Sequence, residues 1–351
     1  MSKHTVRFSD PVDIEIEVDE DETILDAALN QGLRLYYACK EGQCAACKNF
    51  CIDGEVDHDP YSNFALSDAE LEDGFVLLCK AFPFSDCEIE ILHWDEDMRD
   101  GGIPIREFQT KVDRIESLTH DLRRLTLQLV DPPEMVFYPG QYVDIHVPAK
   151  DGEGPYKRSF SMACTPAAGD RLEFIIKALP DGRFSGLLEG ELAPGDPLMI
   201  KGPYGMFLQR TRSERDIIMV GGGAGISALW ALLQSFDEQQ LDRDITFYYG
   251  ARTRGDLCLK EDVEELGERL ENFEYVPALS EEAPDTDWLG ETGLITEVLD
   301  RREGDLSDRD AYLCGPPPMI DAVIPLLVAK GIPEDRIFFD KFTTTASEDE
   351  K

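Results

Sequence analysis

The chain opens on two runs in which apolar and polar positions alternate. Val6 and Phe8 form the first, and Ile14, Ile16 and Val18 the second. A period of two marks a half-buried strand. From Asp21 to Leu29 the spacing turns helical, with Thr23 placed to cap the N-terminus and Gly32 just past the end. Ile89 and Ile91 return to alternation with Glu88 and Glu90. These elements predict a small α/β unit over residues 1–94. Trp94 to Pro104 is charged, Gly-rich and aperiodic, so a linker is expected at 95–104. Over 105–210 the texture is strand and turn: Leu125, Leu127 and Leu129 alternate with Thr126 and Gln128, and Val143, Ile145 and Val147 with Asp144 and His146. Short strands punctuated by Pro and Gly predict a small antiparallel barrel. Over 211–342 the pattern changes again. Ile217 to Val220 reads as a buried strand running through glycines into a helix from Ser227 to Phe236, and Ile245 to Tyr249 as the next strand. Strands alternating with helices predict a parallel α/β sheet. Residues 343–351 are expected to be a disordered tail.

Composition narrows the class. A chain of 351 residues, 42% of them hydrophobic, has room for two or three cores. No apolar run approaches the ~18 residues of a membrane span. The first residues lack the apolar core of a secretory signal, so a cytoplasmic protein with reduced thiols is expected. Nine cysteines, an odd number, fit that better than a disulfide set. The net charge of −38 is uneven: residues 1–98 hold 24 acidic and 6 basic residues, a net −18. That balance argues against nucleic acid and anionic membrane as partners. It leaves a solvated surface or a docking face for a basic protein.

The chemistry begins at Cys39-Lys-Glu-Gly-Gln-Cys-Ala-Ala-Cys47, with Cys79 further on. Structural zinc sites draw ligands as two close pairs; here the fourth cysteine is solitary and His58 has no partner at ligand spacing. Disulfides are disfavoured by compartment. The spacing C-x4-C-x2-C…C is that of a plant-type [2Fe–2S] cluster held by Cys39, Cys44, Cys47 and Cys79. Gly42, Ala45 and Ala46 leave room for backbone to approach inorganic sulfur. Cys51, Cys87, Cys164 and Cys258 are expected to be small buried hydrophobes.

Further motifs lie downstream: Arg158-Ser-Phe-Ser161, with Gly140-Gln-Tyr142, Gly182-Arg-Phe-Ser-Gly-Leu-Leu188 and Gly202-Pro-Tyr-Gly205 around it. Val220-Gly-Gly-Gly-Ala-Gly-Ile-Ser-Ala-Leu229 has the strand–glycine–helix form, yet it fails G-x-G-x-x-G, because Ile226 stands sixth from Gly221. Cys314-Gly-Pro-Pro-Pro-Met319 and Phe339-Asp-Lys-Phe342 follow.

The first ninety or so residues resemble the plant-type ferredoxin domain, a β-grasp fold, on CKEGQCAAC and Leu77-Leu-Cys79. Residues 105–210 resemble the flavin domain of the ferredoxin–NADP reductase superfamily. That resemblance implies that Arg158 pairs with the FAD diphosphate through a guanidinium fork, that Phe160 packs on the ring system where the superfamily usually has Tyr, and that Ser161 hydrogen-bonds near the reacting edge. Ser185 is expected to cap a helix N-terminus aimed at phosphate. The glycine loop resembles the superfamily's G-G-T-G-[IL]-A-P, with Ala224 and Ala228 departing from it, and implies nucleotide contacts from Gly221, Gly223 and Gly225. The Cys314 motif implies that Cys314 lies beside the nicotinamide, with Gly315 and Pro316 forming the turn. Phe342 either covers the flavin or is a terminal core aromatic. Arg252 and Arg254 are placed where a 2′-phosphate could be met, and no acid ends that strand to bind a 2′-hydroxyl; the family resemblance favours NADH.

Tail aside, the whole chain resembles the NADH-dependent reductase component of bacterial soluble di-iron monooxygenases of the methane, propane and alkene group. It implies electrons passing from NADH to FAD to [2Fe–2S] and on to a hydroxylase, from a protein monomeric when free. A reductase for a Rieske dioxygenase or a cytochrome P450 has the same modules, and a non-catalytic cysteine scaffold is the reading from another class. The fold class expected is multidomain: β-grasp ferredoxin domain, antiparallel β-barrel FAD domain and α/β parallel-sheet nucleotide domain.

Overall fold

The computed structural model describes residues 3–94, 102–148, 154–180, 182–282 and 287–342. Most of the expected linker (95–101) and the whole expected tail (343–351) lie outside the described residues. The chain divides into two units, residues 1–107 with 202–206, and residues 108–201 with 207–351.

The first unit contains β1 (Lys3–Asp10), β2 (Ile14–Asp19), α1 (Ile24–Asn30), β3 (Lys48–Asp53), β4 (Val56–His58), α2 (Asp68–Glu72), β5 (Phe75–Leu77), β6 (Ala81–Pro83) and β7 (Cys87–Glu90). Its mixed sheet runs β2-β1-β7-β3-β5, and β4 pairs with β6 apart from it. β1 and β7 are parallel, the other sheet neighbours antiparallel. The alternation that predicts these strands sorts their faces. Val6, Phe8, Ile16 and Val18 are buried, whereas Ile14, first in β2, is exposed. α1 starts where the Thr23 hydroxyl accepts from the Asp26 amide at 3.1 Å, and buries Ile24, Leu25, Ala27, Ala28 and Leu29. A mixed sheet gripping one helix is the β-grasp arrangement.

Apart from the first two residues of β8 and the last three of β13, the second unit begins with β8 (Arg106–Ser117), β9 (Leu122–Asp131), β10 (Tyr142–Val147), β11 (Tyr156–Ser161), β12 (Arg171–Lys177) and β13 (Pro197–Tyr204), a sheet of order β11-β10-β13-β8-β9-β12. Its two edges meet: Met162, just past β11, bridges antiparallel to Phe174 of β12, and the Ala163 amide donates to Glu173 O at 2.6 Å. That contact closes the sheet into a barrel and removes the open edge. Leu125, Leu127, Val143 and Ile145 fill it. The four-residue α3 (Arg183–Gly186) lies between β12 and β13.

The remaining elements are β14 (Asp216–Gly222), α4 (Ile226–Gln239), β15 (Ile245–Ala251), α5 (Lys260–Gly267), β16 (Phe273–Leu279), β17 (Glu291–Thr292), α6 (Ile295–Arg302), β18 (Arg309–Gly315), α7 (Pro317–Ala329) and β19 (Ile337–Lys341). The sheet order is β17-β16-β15-β14-β18-β19, parallel throughout. Alternate residues of β14 enter different cores: Ile217 and Met219 one, Ile218 and Val220 the other. A strand buried on both faces reads as a continuous apolar run, which is why no alternation marks it. Chain order reverses between β14 and β18, so the crevice at their carboxyl ends is the switch point where such sheets bind ligands. Among the described residues no helix is long and apolar enough to cross a membrane.

Candidate functional site

In the first unit the cysteine loop folds against ordinary backbone preference. Lys40 (φ 57°), Gly42 (φ 70°) and Ala45 (φ 59°) all adopt the left-handed region, which costs a residue bearing Cβ and persists where the surroundings enforce it. Position 42 has no alternative to glycine, since an added Cβ would stand 2.8 Å from Tyr61 Cβ. These turns aim amides inward: the Glu41 and Gln43 N–H groups each reach Cys39 Sγ at 3.4 Å, and the Cys39 amide reaches Cys44 Sγ at 3.4 Å. Successive inward amides favour negative charge at their focus.

The four thiols meet as two pairs. Cys39 is pulled down to about 5 by the hydrogen bond from the Cys44 thiol and then by the Gln43 and Glu41 amides, while Cys44 is pushed up. Cys47 is lowered by its bond from Cys79, and Cys79 raised. Charge on Cys39 and Cys44 also acts on Cys47, so the two pairs face one common centre, and four thiolates at this spacing suit a [2Fe–2S] cluster.

In the second unit β11 presents Tyr156, Arg158 and Phe160 on one half-buried face, with Lys157 and Ser159 on the other. Lys157 and Ser159 both donate to the buried Asp144, at 2.7 and 2.6 Å, which fixes the strand's orientation. Arg158 lies 5.2 Å and Arg183 4.0 Å from the Tyr156 ring centre, and Phe160 sits 4.7 Å from Phe184. Two guanidinium groups beside a row of aromatic rings suit a diphosphate attached to a planar ring system. Ser185 does not take the expected part. α3 begins after Gly182, and the Ser185 hydroxyl, inside the helix, accepts from the Leu179 amide at 2.8 Å. Its role is to tie the preceding loop to this turn.

At the switch point, motifs far apart in sequence converge. Gly221 and Asp340 flank Cys314 in neighbouring strands. A Cβ on Gly225 would stand 2.1 Å from the Cys314 carbonyl, so only glycine allows the loop this close. Gly223 faces open space, and Gly225 caps α4 without a side chain, while the Ile226 amide is taken by the Gly223 and Ala224 carbonyls of the turn before it. Gly315 accepts from the Phe342 amide at 3.0 Å, which brings Phe342 to the rim while its ring packs partly on the core.

Two residues here went unpredicted. Ser227 Oγ donates to the Ser161 carbonyl at 2.6 Å and accepts from the Ile175 amide at 3.3 Å, joining α4 to the end of β11. Asp340 accepts from Ser161 Oγ at 3.5 Å, and burial raises its carboxyl to about 6. Its signal lies in Phe339-Asp-Lys-Phe342, where an acid stands among aromatics at the end of an apolar strand. The arginines set beside a possible 2′-phosphate are engaged. Arg254 pairs with Glu282 and Asp287 at 2.6 Å each, and Arg252 reaches Glu281 at 3.9 Å. No acid ends β15 itself, but carboxylates following β16 neutralise both cations.

Family models match in the same order: a 2Fe–2S iron–sulfur cluster binding domain over residues 7–84, an oxidoreductase FAD-binding domain over 109–208 and an oxidoreductase NAD-binding domain over 219–324. They define an iron–sulfur flavoprotein oxidoreductase, drawing on NADH through FAD to a [2Fe–2S] cluster. The chain is 46% identical over 349 residues to the propane 2-monooxygenase reductase component of Rhodococcus jostii, covering 99% of this chain and 93% of that protein. It is 38% identical to a phenol 2-monooxygenase reductase component of Pseudomonas, covering 94% and 92%. Among solved structures, a cytochrome P450 reductase of Amycolatopsis superposes with a TM-score of 0.85 at 28% identity, covering 97% and 99%. The chain belongs to the family of reductase components of multicomponent monooxygenases.

Proposed function

We propose that this protein is the reductase of a propane-type monooxygenase and delivers single electrons to that system's hydroxylase. The observation that carries this reading is the convergence of Ser161, Cys314 and Asp340 at the β14/β18 switch point, in a chain that also builds a paired-thiol loop. Four propane 2-monooxygenase reductases at 44–46% identity support the choice of partner.

Cys39, Cys44, Cys47 and Cys79 would hold the [2Fe–2S] cluster as its four thiolate ligands. Arg158 binds the FAD diphosphate, Phe160 supports the ring system and Ser161 borders its reacting edge. Bound FAD supplies the conversion of an electron pair into single electrons. Gly221, Gly223 and Gly225 admit the nucleotide diphosphate, Gly315 and Pro316 shape the opposite wall, Cys314 borders the nicotinamide, and Phe342 closes the rim. Asp340, once ionised, takes the Ser161 hydrogen bond and fixes the direction of that hydroxyl. The working boundaries are 1–94, 105–210 and 211–342. Free of its partner the protein is a cytoplasmic monomer without nucleic-acid or membrane ligands, since a net charge of −38 repels polyanions. The acidic first unit docks on a basic patch of the hydroxylase.

The test is reconstitution. Purified protein loaded with FAD and cluster bleaches anaerobically on NADH addition, and mixing it with a propane hydroxylase gives NADH-dependent alcohol. Bleaching with product only from a phenol hydroxylase, a Rieske oxygenase or a P450 overturns the partner; a preparation inert to NADH after loading overturns the reductase reading.

A further inference from the structure

The nine cysteines separate into groups. Among the cysteines the four loop thiols act only on one another, whereas Cys51 and Cys87 stand apart as a third pair. The expectation for both was a small buried hydrophobe; Cys87 is buried, but Cys51 is half-exposed. Sheet geometry brings them together. Cys51 of β3 lies opposite Ile89 of β7, and Cys87 is two residues along β7 from Ile89, so both side chains leave the same face of the antiparallel pair. A bulge between Cys51 and Asp53 re-aims the strand at this point. Cys51 Sγ lies 3.3 Å from the Asp53 carbonyl, and Cys87 Sγ 3.2 Å from that of Ser85. The turn after β3 packs directly on Asp86 and Cys87: a Cβ on Gly54 (φ 106°) would stand 2.5 Å from the Asp86 carbonyl and 2.7 Å from Cys87 Sγ.

We infer that Cys51 and Cys87 are a peroxide-responsive dithiol, whose reversible disulfide pins β3 to β7 in the cluster-bearing unit. The half-exposed Cys51 attacks hydrogen peroxide, and the O–O bond breaks to leave sulfenic acid on Cys51 and hydroxide. Cys87 then attacks the Cys51 sulfur; the S–S bond forms, the S–O bond breaks, and water departs with the Cys87 proton. Two thiols lose two electrons and peroxide gains them. The hydrogen bond between the thiols supports this division of labour, since it lowers Cys51 toward thiolate and leaves Cys87 protonated. In a reducing compartment such a bond is transient and suits sensing. Because β3 begins at Lys48, next to Cys47, pinning it restrains one cluster ligand directly.

The test uses holoprotein whose cluster absorption is followed throughout. After hydrogen peroxide, free thiols are alkylated and non-reduced digests are mapped by mass spectrometry. The expected result is a cross-link between the Cys51 and Cys87 peptides, reversed by dithiothreitol, absent in C51S and C87S (or C51A and C87A if a serine variant fails to hold its cluster), with cluster absorption retained. A chelator then strips the cluster several-fold more slowly from oxidised than from reduced wild type, with no such difference in C51S. Over-oxidised Cys51 without a cross-link, or cross-links only among Cys39, Cys44, Cys47 and Cys79, overturns the site. A cross-link that leaves the stripping rate unchanged overturns the pinning.

Discussion

The cysteine loop and the switch point, the two places proposed to hold anionic cofactors, are built by opposite means. Cys39 to Cys47 is nine consecutive residues whose inward amides and sulfurs are set by three left-handed turns. The switch point is assembled from Ser161, Gly225, Ser227, Cys314, Asp340 and Phe342, drawn from β11, α4, β18 and β19. A local grip depends on side-chain chemistry and tolerates little substitution of ligands. An assembled grip depends on how closely backbones approach, and it fails by displacement.

The largest effect should therefore come from removing a ligand at the local site. C79S leaves the Cys47 thiol without its partner and removes one of the four proposed cluster ligands. Cluster absorption and the iron–sulfur EPR signal should vanish, while NADH still reduces bound flavin at close to the wild-type rate in stopped-flow measurement. Loss of flavin reduction as well would mean that the two grips are not independent.

Next in size is displacement at the assembled site. G225A puts a methyl group 2.1 Å from the Cys314 carbonyl, a backbone atom that cannot swing aside. The loop must back away, and misplacement of about an ångström costs on the order of a hundredfold in rate. NADH-to-flavin reduction should fall by about that factor, with the cluster signal intact. An unchanged rate would show that Gly221–Gly225 and Cys314 do not share a substrate site.

How much of this could be read beforehand follows the same divide. The iron–sulfur domain was legible because four cysteines at that spacing carry their chemistry in the sequence itself. Strands with one wet face were legible through alternation, as Val6 and Phe8 show. Alternation misled inside the closed barrel, where Thr126 and Asp144 sit at polar positions yet are buried, Asp144 because it receives Lys157 and Ser159. Ser185 was misplaced because a serine in a turn fits several hydrogen-bonding parts, and only the fold put the Leu179 amide beside it. Ser227 and Asp340 were invisible for a further reason: their partners lie 66 and 179 residues away. No local pattern encodes a contact that the sheet order creates.

Asp340 offers the finest probe of the assembled site. Its carboxyl titrates near 6 in the fold against 3.8 ordinarily, chiefly because burial penalises the charge. The neutral acid is thus the form the fold favours: the associated stability is fully present below 3.8 and is lost as pH rises through about 6. Function pulls the other way, because only the ionised carboxylate holds the Ser161 hydroxyl by a charge-assisted bond. The rate of flavin reduction by NADH should rise through an inflection near pH 6 in the wild type and lose that inflection in D340N, which still accepts a hydrogen bond but cannot ionise. The rate of D340N above the inflection should drop only several-fold, far less than that of G225A. Its melting temperature should fall less than that of the wild type as pH rises from 3.8 through about 6. An inflection that persists in D340N would assign the titration to another group and leave Asp340 as packing.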